Sequence, residues 1–219
     1  RAGLRGARTV AVTKDGARIE TDVVGVGIGI QSDLKWLDGA GIAINRAIMT
    51  NEFLETNLPD VYAAGDCAEF KDLIFERQHI VGNWANATGQ GTAVGKTMAG
   101  TKTAYDTASS YSINFFDPPS LAVGPPSGGT VSFIGVTDEK FAEQIKVRGS
   151  RVQGRVTRIF IKSYPSTSSG SSMRIVGATV VNSPMDVAPL TMTIKNKVDV
   201  SAHLADLGKI EFDLKSLTG

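Results

Sequence analysis

Hydrophobic positions in this chain come in short runs divided by glycine, serine and asparagine, with one clearly helical stretch in the first half. Residues 8–13 have a strand-like pattern, Lys14-Asp15-Gly16 supplies a turn, and residues 18–21 return as the second arm of a hairpin. Residues 22–30 (D-V-V-G-V-G-I-G-I) are continuously apolar, the pattern of a strand buried in a parallel sheet. One short helical turn is expected at 32–37, and two strand-like pieces flank Asn45-Arg46 within 39–50. Residues 56–60 form a proline-containing turn, and 61–64 another buried strand. Asn83 stands where an N-cap belongs, ahead of a helix running to about Ala99.

Residues 100–110 are a polar connection, and a domain boundary is placed there. Beyond it the pattern turns to short β runs at 112–116, 130–136, 154–162 and 173–181. Residues 141–147 fit either a short helix or a strand. The polar stretch 164–172 (Y-P-S-T-S-S-G-S-S) is expected to be a long, mobile hairpin tip. A helix is expected over 184–197, started or kinked by Pro189, and a second short one over 200–207. Strands followed by helices predict an α+β domain.

Composition narrows the class. The 219 residues are 42% hydrophobic and 21% charged, with a net charge of +1, which is ordinary globular usage. No apolar run approaches the roughly 20 residues of a membrane helix, and no secretion signal opens the chain, so a cytoplasmic location is expected. A single cysteine, Cys67, excludes an internal disulfide and a Cys-x-x-Cys pair. With only His79 and His203 beside it, no structural metal site is expected. The first 110 residues carry 11 basic and 13 acidic side chains and the rest 12 and 9, so neither half suggests nucleic-acid binding. Six bases and no acid lie between Lys146 and Lys162. They are either a solvated hairpin face that discourages edge pairing or a docking patch for an anionic partner.

The most informative segment is residues 56–66, T-N-L-P-D-V-Y-A-A-G-D. Ligands of open α/β sheets bind beyond the carboxyl ends of strands. Gly65 would let a ligand approach the backbone, and Asp66 would offer a carboxylate to a hydroxyl. The helix beginning near Trp84 would aim free amides and its positive dipole end at an electron-rich group.

This run resembles the second flavin-binding motif of the FAD-dependent pyridine nucleotide–disulfide oxidoreductases. Residues 19–33 resemble the stretch that returns from their inserted NAD(P) domain to the FAD domain. W-x-x-A-x-x-Q-G (Trp84, Ala87, Gln90, Gly91) is similar to the ferredoxin-reductase-like branch, and 174–207 to the interface domain of NADH oxidases and CoA-disulfide reductases. The resemblance implies an α/β remnant of an FAD domain followed by a C-terminal α+β interface (dimerisation) domain with an antiparallel sheet. Residues 1–16 would be the tail of the NAD(P)-binding domain, 17–105 the C-terminal part of the FAD domain and 106–219 the interface domain. It also implies FAD as cofactor, NAD(P)H as co-substrate and a homodimer, with neither nucleic acid nor membrane as partner. The FAD contacts would be Gly65, Asp66, Trp84 and Ala85. Asp66 would bond the ribityl chain, and the helix end would lie beside the pyrimidine edge of the isoalloxazine. No catalytic residue is assigned.

The departures matter equally. The family's first glycine motif is absent, so the chain is expected to be the C-terminal part of a longer flavoprotein, inactive and colourless or weakly loaded alone. Gly25-x-Gly27-x-Gly29 fails the dinucleotide fingerprint because position 30 is Ile. Residues 91–97 fail the P-loop spacing by one residue. Ala87, Gly91, Gly95 and Ala99 instead make a small-residue face, expected to approach a sheet or ligand closely. Cys67 is expected to be a buried structural thiol, His79 a surface or loop residue and His203 an exposed helix residue. Trp84 is either plain core or a flavin neighbour. The flavin reading requires that Asp66 neither point into solvent nor be walled off from a groove in which an extended polyol can lie.

Overall fold

The computed structural model describes residues 9–27, 29, 32–115, 129–150, 154–166 and 170–218. Two compact units are present, Arg1–Gln31 and Ser32–Gly219. The first holds the expected hairpin. β1 (Thr9–Val12) and β2 (Arg18–Thr21) pair antiparallel with Thr9 opposite Thr21. Gly16 at φ +88° turns the chain between them. The apolar run after β2 is not a strand: residues 22–27 are irregular, and Val23 is 81% and Val26 74% exposed. A strand buried on both faces needs neighbours to pair with. Within this unit the run has none among the described residues, and Gly29 at φ +80° leaves the extended region. Ile28 and Ile30 lie outside the described residues.

In the second unit a 3₁₀ turn at Lys35–Leu37 leads to a small mixed sheet. β3 (Ile48–Thr50) lies parallel to β4 (Ala68–Asp72), and β4 antiparallel to β5 (Arg77–His79). Of the two pieces expected in 39–50 only β3 forms. Ile44 makes a single bridge to Ile48 across a tight turn. The buried Glu69 carboxylate holds that turn, accepting from Asn45 Nδ2 at 3.2 Å and the Arg46 amide at 3.1 Å. Residues 61–64 are likewise not a strand. Leu54 and Asp60 adopt φ +64° and +60°. The chain therefore closes on itself, with Thr56 N–H to Val61 O at 2.9 Å and Ala63 N–H to Leu54 O at 3.1 Å. The buried strand starts after Asp66 instead of ending there.

α1 (Trp84–Met98) begins as expected: Asn83 Oδ1 accepts from the Asn86 amide at 2.8 Å. The chain leaves the helix through Gly100 at φ +92°. Its buried face is Asn86, Gln90, Ala93 and Val94, not the small-residue stripe. A Cβ added at Gly91 or Gly95 would meet nothing within 4 Å. Gly89 alone is closely approached, by the Tyr105 ring at 3.1 Å from such a Cβ.

The remaining residues form a five-stranded antiparallel sheet in the order β6 (Ser110–Phe115), β7 (Gly129–Gly135), β10 (Gly170–Val181), β9 (Arg155–Ser166), β8 (Gln144–Ser150). Residues 144–150 thus resolve as strand. The 164–172 stretch is not a long loop, because Tyr164 still pairs with Ser172 and only residues 167–169, outside the described set, separate the strands. α2 (Pro184–Lys195) starts at Pro184, five residues before Pro189, which lies buried inside the helix. The short helix expected over 200–207 is a 3₁₀ turn, Ser201–His203, followed by further turns. Ile134, Ile159, Ile161 and Val180 of the sheet share a core with Leu190, Ile194 and Leu207.

The β4–β5 turn joins the small sheet to this core. Ile74 and Phe75 are buried in it, and Phe75 Cζ lies 3.2 Å from where a Cβ of Gly135 would sit. Glu76 pairs with Arg174 at 3.1 Å and Lys197 at 3.5 Å. Tyr105 and Ala108, in the connection where a domain boundary is expected, are buried.

Candidate functional site

Gly65 opens a 3₁₀ turn, Gly65–Cys67, at φ +81°. Its amide donates to Gln90 Oε1 at 2.7 Å, and a Cβ there would lie 3.2 Å from Ala87 Cβ. The turn is therefore pressed against α1 one helical turn from Trp84 and Ala85. Gln90 is wholly buried, yet its Nε2 has no hydrogen-bond partner among the described residues. An orphaned buried donor is rare, and this one sits beside Gly65, whose missing side chain makes room for Ala87 of α1 and not, as expected, for a ligand.

Asp66 follows on the exposed side of the turn. Its backbone carbonyl accepts from Ser32 Oγ at 3.4 Å, while its carboxylate has no partner among the described residues. Across the contact, Asn83 O takes the Ala87 amide at 3.0 Å and Asn83 Oδ1 the Asn86 amide. The N–H groups of Trp84 and Ala85 are thus the two that α1 leaves unpaired. Trp84 is 83% exposed, which removes the plain-core alternative. The first turn of α1 is locked from behind. Asn86 Nδ2 donates to Val81 O at 2.8 Å, and Tyr105 Oη donates to Asn86 Oδ1 at 3.0 Å. Burial, and secondarily the negative charge of Asp72, push the Tyr105 hydroxyl up to about 12, so it stays a donor.

Of the four residues expected to contact the cofactor, Gly65 is buried in the turn, whereas Asp66, Trp84 and Ala85 are exposed. Gln90 and Asn86 are the members missed as functional. Gln90 is visible in W-x-x-A-x-x-Q-G, but nothing local says that it reaches Gly65.

Other expectations need correction. Cys67 is half-buried, with Sγ 3.4 Å from Ala64 O, rather than fully buried. His79 is not a surface residue: it lies on β5, half-buried, with Nδ1 3.0 Å from Asp72 Oδ2. His203 is half-buried in its turn and rests on Phe212, ring centres 5.5 Å apart. The basic stretch is not simply solvated. Arg148 is buried, with one Nη donating to Ile210 O at 2.8 Å and Nε 3.8 Å from Asp186. Arg158 pairs with Glu139, and Lys162 lies 4.9 Å from the centre of the Phe141 ring. Arg151 falls outside the described residues. Among the described residues no three His, Cys, Asp or Glu side chains are placed to hold a metal ion, and no helix is long and apolar enough to cross a membrane.

Residues 3–91 match the family model described as pyridine nucleotide-disulphide oxidoreductase. Putidaredoxin reductase of Pseudomonas putida is 24% identical over 209 residues, 95% of this chain and 44% of that protein. The NADH oxidase of Methanocaldococcus jannaschii is 34% identical over 91 residues, 41% of this chain and 20% of that protein. In fold, the chain is similar to the crystal structure of a ferredoxin reductase from Rhodopseudomonas palustris, with TM-score 0.75 and 23% identity, covering 99% of this chain and 48% of that one. The chain therefore spans less than half the length of the relatives it matches.

Proposed function

We propose that this chain, whose residues 3–91 match the family model of the pyridine nucleotide-disulphide oxidoreductases, builds one wall of the FAD site of a longer NAD(P)H-dependent flavoenzyme of that family. Members of this family are enzymes that use FAD and NAD(P)H. When bound, the flavin would supply the redox chemistry, taking hydride from NAD(P)H and passing electrons to oxygen, a disulfide or a carrier. The observation that carries the reading is the Gly65–Asp66 turn, clamped by Gln90 against the amide-bearing end of α1.

Each residue has a task. Asp66 would accept hydrogen bonds from ribityl hydroxyls. The Trp84 and Ala85 amides would favour negative charge on the pyrimidine side of the ring. Gly65, lacking a side chain, lets the turn that carries Asp66 pack against Ala87 of α1. The open side of Asp66 would be closed by a part of the longer protein that carries the first glycine motif. A soluble, cytoplasmic homodimer joined through residues 106–219 belongs to the same proposal, as does the division of the chain at 16/17 and 105/106.

The test is an FAD titration of the longer protein with Asp66 intact or replaced. Asp66→Ala weakens FAD binding by about tenfold or more, the loss of one charge-assisted hydrogen bond; unchanged affinity overturns the role. The exposure of Asp66 favours a second reading of the isolated chain as a folding and association module without cofactor. A colourless purified chain supports it, and flavin absorbance bands reject it.

A further inference from the structure

We propose that the hollow between the β8–β9 hairpin and the start of α2 binds a short-chain aliphatic monocarboxylate. The site lies wholly within residues 148–210 and stands independently of the flavin reading. The hollow measures about 220 Å³, and its walls include Arg148, Arg155, Thr157, Ser183, Asp186 and Ile210. Both arginines belong to the basic stretch between Lys146 and Lys162.

Hairpin register gathers the basic side. Arg148 of β8 stands opposite Thr157 of β9, and Ser150 opposite Arg155. Alternate residues of a strand share a face. Arg155 therefore lies on the same face as Thr157, whose Oγ1 donates to Asp186 Oδ2 of α2 at 2.8 Å. Arg148 is only 8% exposed. A guanidinium keeps its charge when buried, and that is costly unless a close carboxylate compensates it. Here compensation is incomplete. Nη2 donates to a neutral carbonyl, Ile210 O, at 2.8 Å. Nε lies 3.8 Å from Asp186 Oδ2, beyond hydrogen-bond reach. Nη1 is buried without a partner among the described residues. Arg155 is exposed and has no ion pair among the described residues.

These groups select the ligand. Two guanidinium charges against the one carboxylate of Asp186 leave the lining with a single positive charge. One carboxylate balances it, whereas a doubly charged phosphate exceeds it and meets Asp186. The start of α2 adds the positive end of its dipole. Ser183 stands at its N-cap, and the side chain makes no capping bond, so the hydroxyl is free to donate to a ligand. Val156 and Ile210 supply apolar wall for a short alkyl chain. The buried Arg148 charge acts across the hollow whichever of its nitrogens faces it, and its bond to Ile210 stays in place.

The experiment titrates the chain with butyrate, butyramide and inorganic phosphate at constant ionic strength, following heat and the amide resonances of Gly149 and Ser183. Butyrate binds saturably with a Kd of about 1 mM and shifts both resonances. Butyramide, its uncharged counterpart, binds about tenfold more weakly. Arg155→Gln, at an exposed position, leaves the unfolding midpoint near that of the parent and lowers butyrate affinity about tenfold. Asp186→Asn keeps an acceptor for Thr157 but removes the limiting negative charge, so phosphate gains about tenfold relative to butyrate. Absence of saturation, equal binding of butyrate and butyramide, phosphate binding as tightly as butyrate to the parent, or unchanged affinity in Arg155→Gln overturns the proposal.

Discussion

At the scale of single residues, two glycines of the same region have opposite roles. Gly65 sits at φ +81° with Ala87 Cβ 3.2 Å from where its own Cβ would be. Gly65→Ala meets both left-handed strain and crowding, and costs about 1–2 kcal/mol from the backbone alone. Gly91 lies on the exposed face of α1 with nothing near a Cβ. Gly91→Ala gains about 1 kcal/mol by helix propensity. Urea midpoints of the two variants moving in opposite directions check the pair. Tyr105 makes the third residue-level prediction. Its folded pKa is raised to about 12 from the ordinary tyrosine value of 10.0, by burial first and the Asp72 charge second. The unfolded chain therefore releases this proton earlier than the folded one. The corresponding stability is intact below pH 10 and is lost as pH rises from about 10 to 12. Unfolding free energy measured across that window falls in the parent, and the fall is shallower in Tyr105→Phe.

At the scale of elements, α1 depends on Asn83. Its Oδ1 caps the Asn86 amide and its Nδ2 ties the helix start to Ser109. Asn83→Ala removes both bonds and destabilises by about 1–2 kcal/mol, with hydrogen exchange accelerating first at Asn86 and Ala87. This helix was legible because its determinants are local: a capping residue, a helical spacing and a glycine after the end. The Gly65-Asp66 turn was legible as a motif, but its setting was not. Val61-Tyr62-Ala63-Ala64 is apolar enough for a strand, and periodicity cannot separate a buried strand from a closed apolar loop. What decides is the positive φ of Leu54 and Asp60, which neither residue type announces. The run from Val23 failed for the complementary reason, since a strand exists only where a neighbour pairs with it. The setting of His79 is not legible locally because its partner, Asp72, is set by hairpin register: Asp72 pairs with Arg77 and Phe70 with His79, which brings a carboxylate seven residues away onto the ring.

At the scale of the molecule, residues 32–219 behave as one body because a short turn of the small sheet is built into the core of the large one. Ile74 and Phe75 contribute apolar surface to a cluster otherwise made by the five-stranded sheet, α2 and the C-terminal turns. Asp72 shapes the turn by accepting both of its leading amides, and the Glu76 pairs with Arg174 and Lys197 guard its rim. These pairs are partly exposed and add little, so the coupling rests on burial. Phe75→Ala leaves a cavity in the shared core and costs about 3–5 kcal/mol. The loss has a second consequence that an ordinary core truncation lacks. In the parent, amides of β4 and of β10 exchange through the same global opening and report one free energy. In Phe75→Ala the small sheet loses its anchor, so β4 amides exchange through a lower-energy local opening while β10 amides still require the global one. Native-state hydrogen exchange measures both sets in one experiment. Equal free energies for the two sheets in the variant would show that the turn is packed into the core without coupling the two halves.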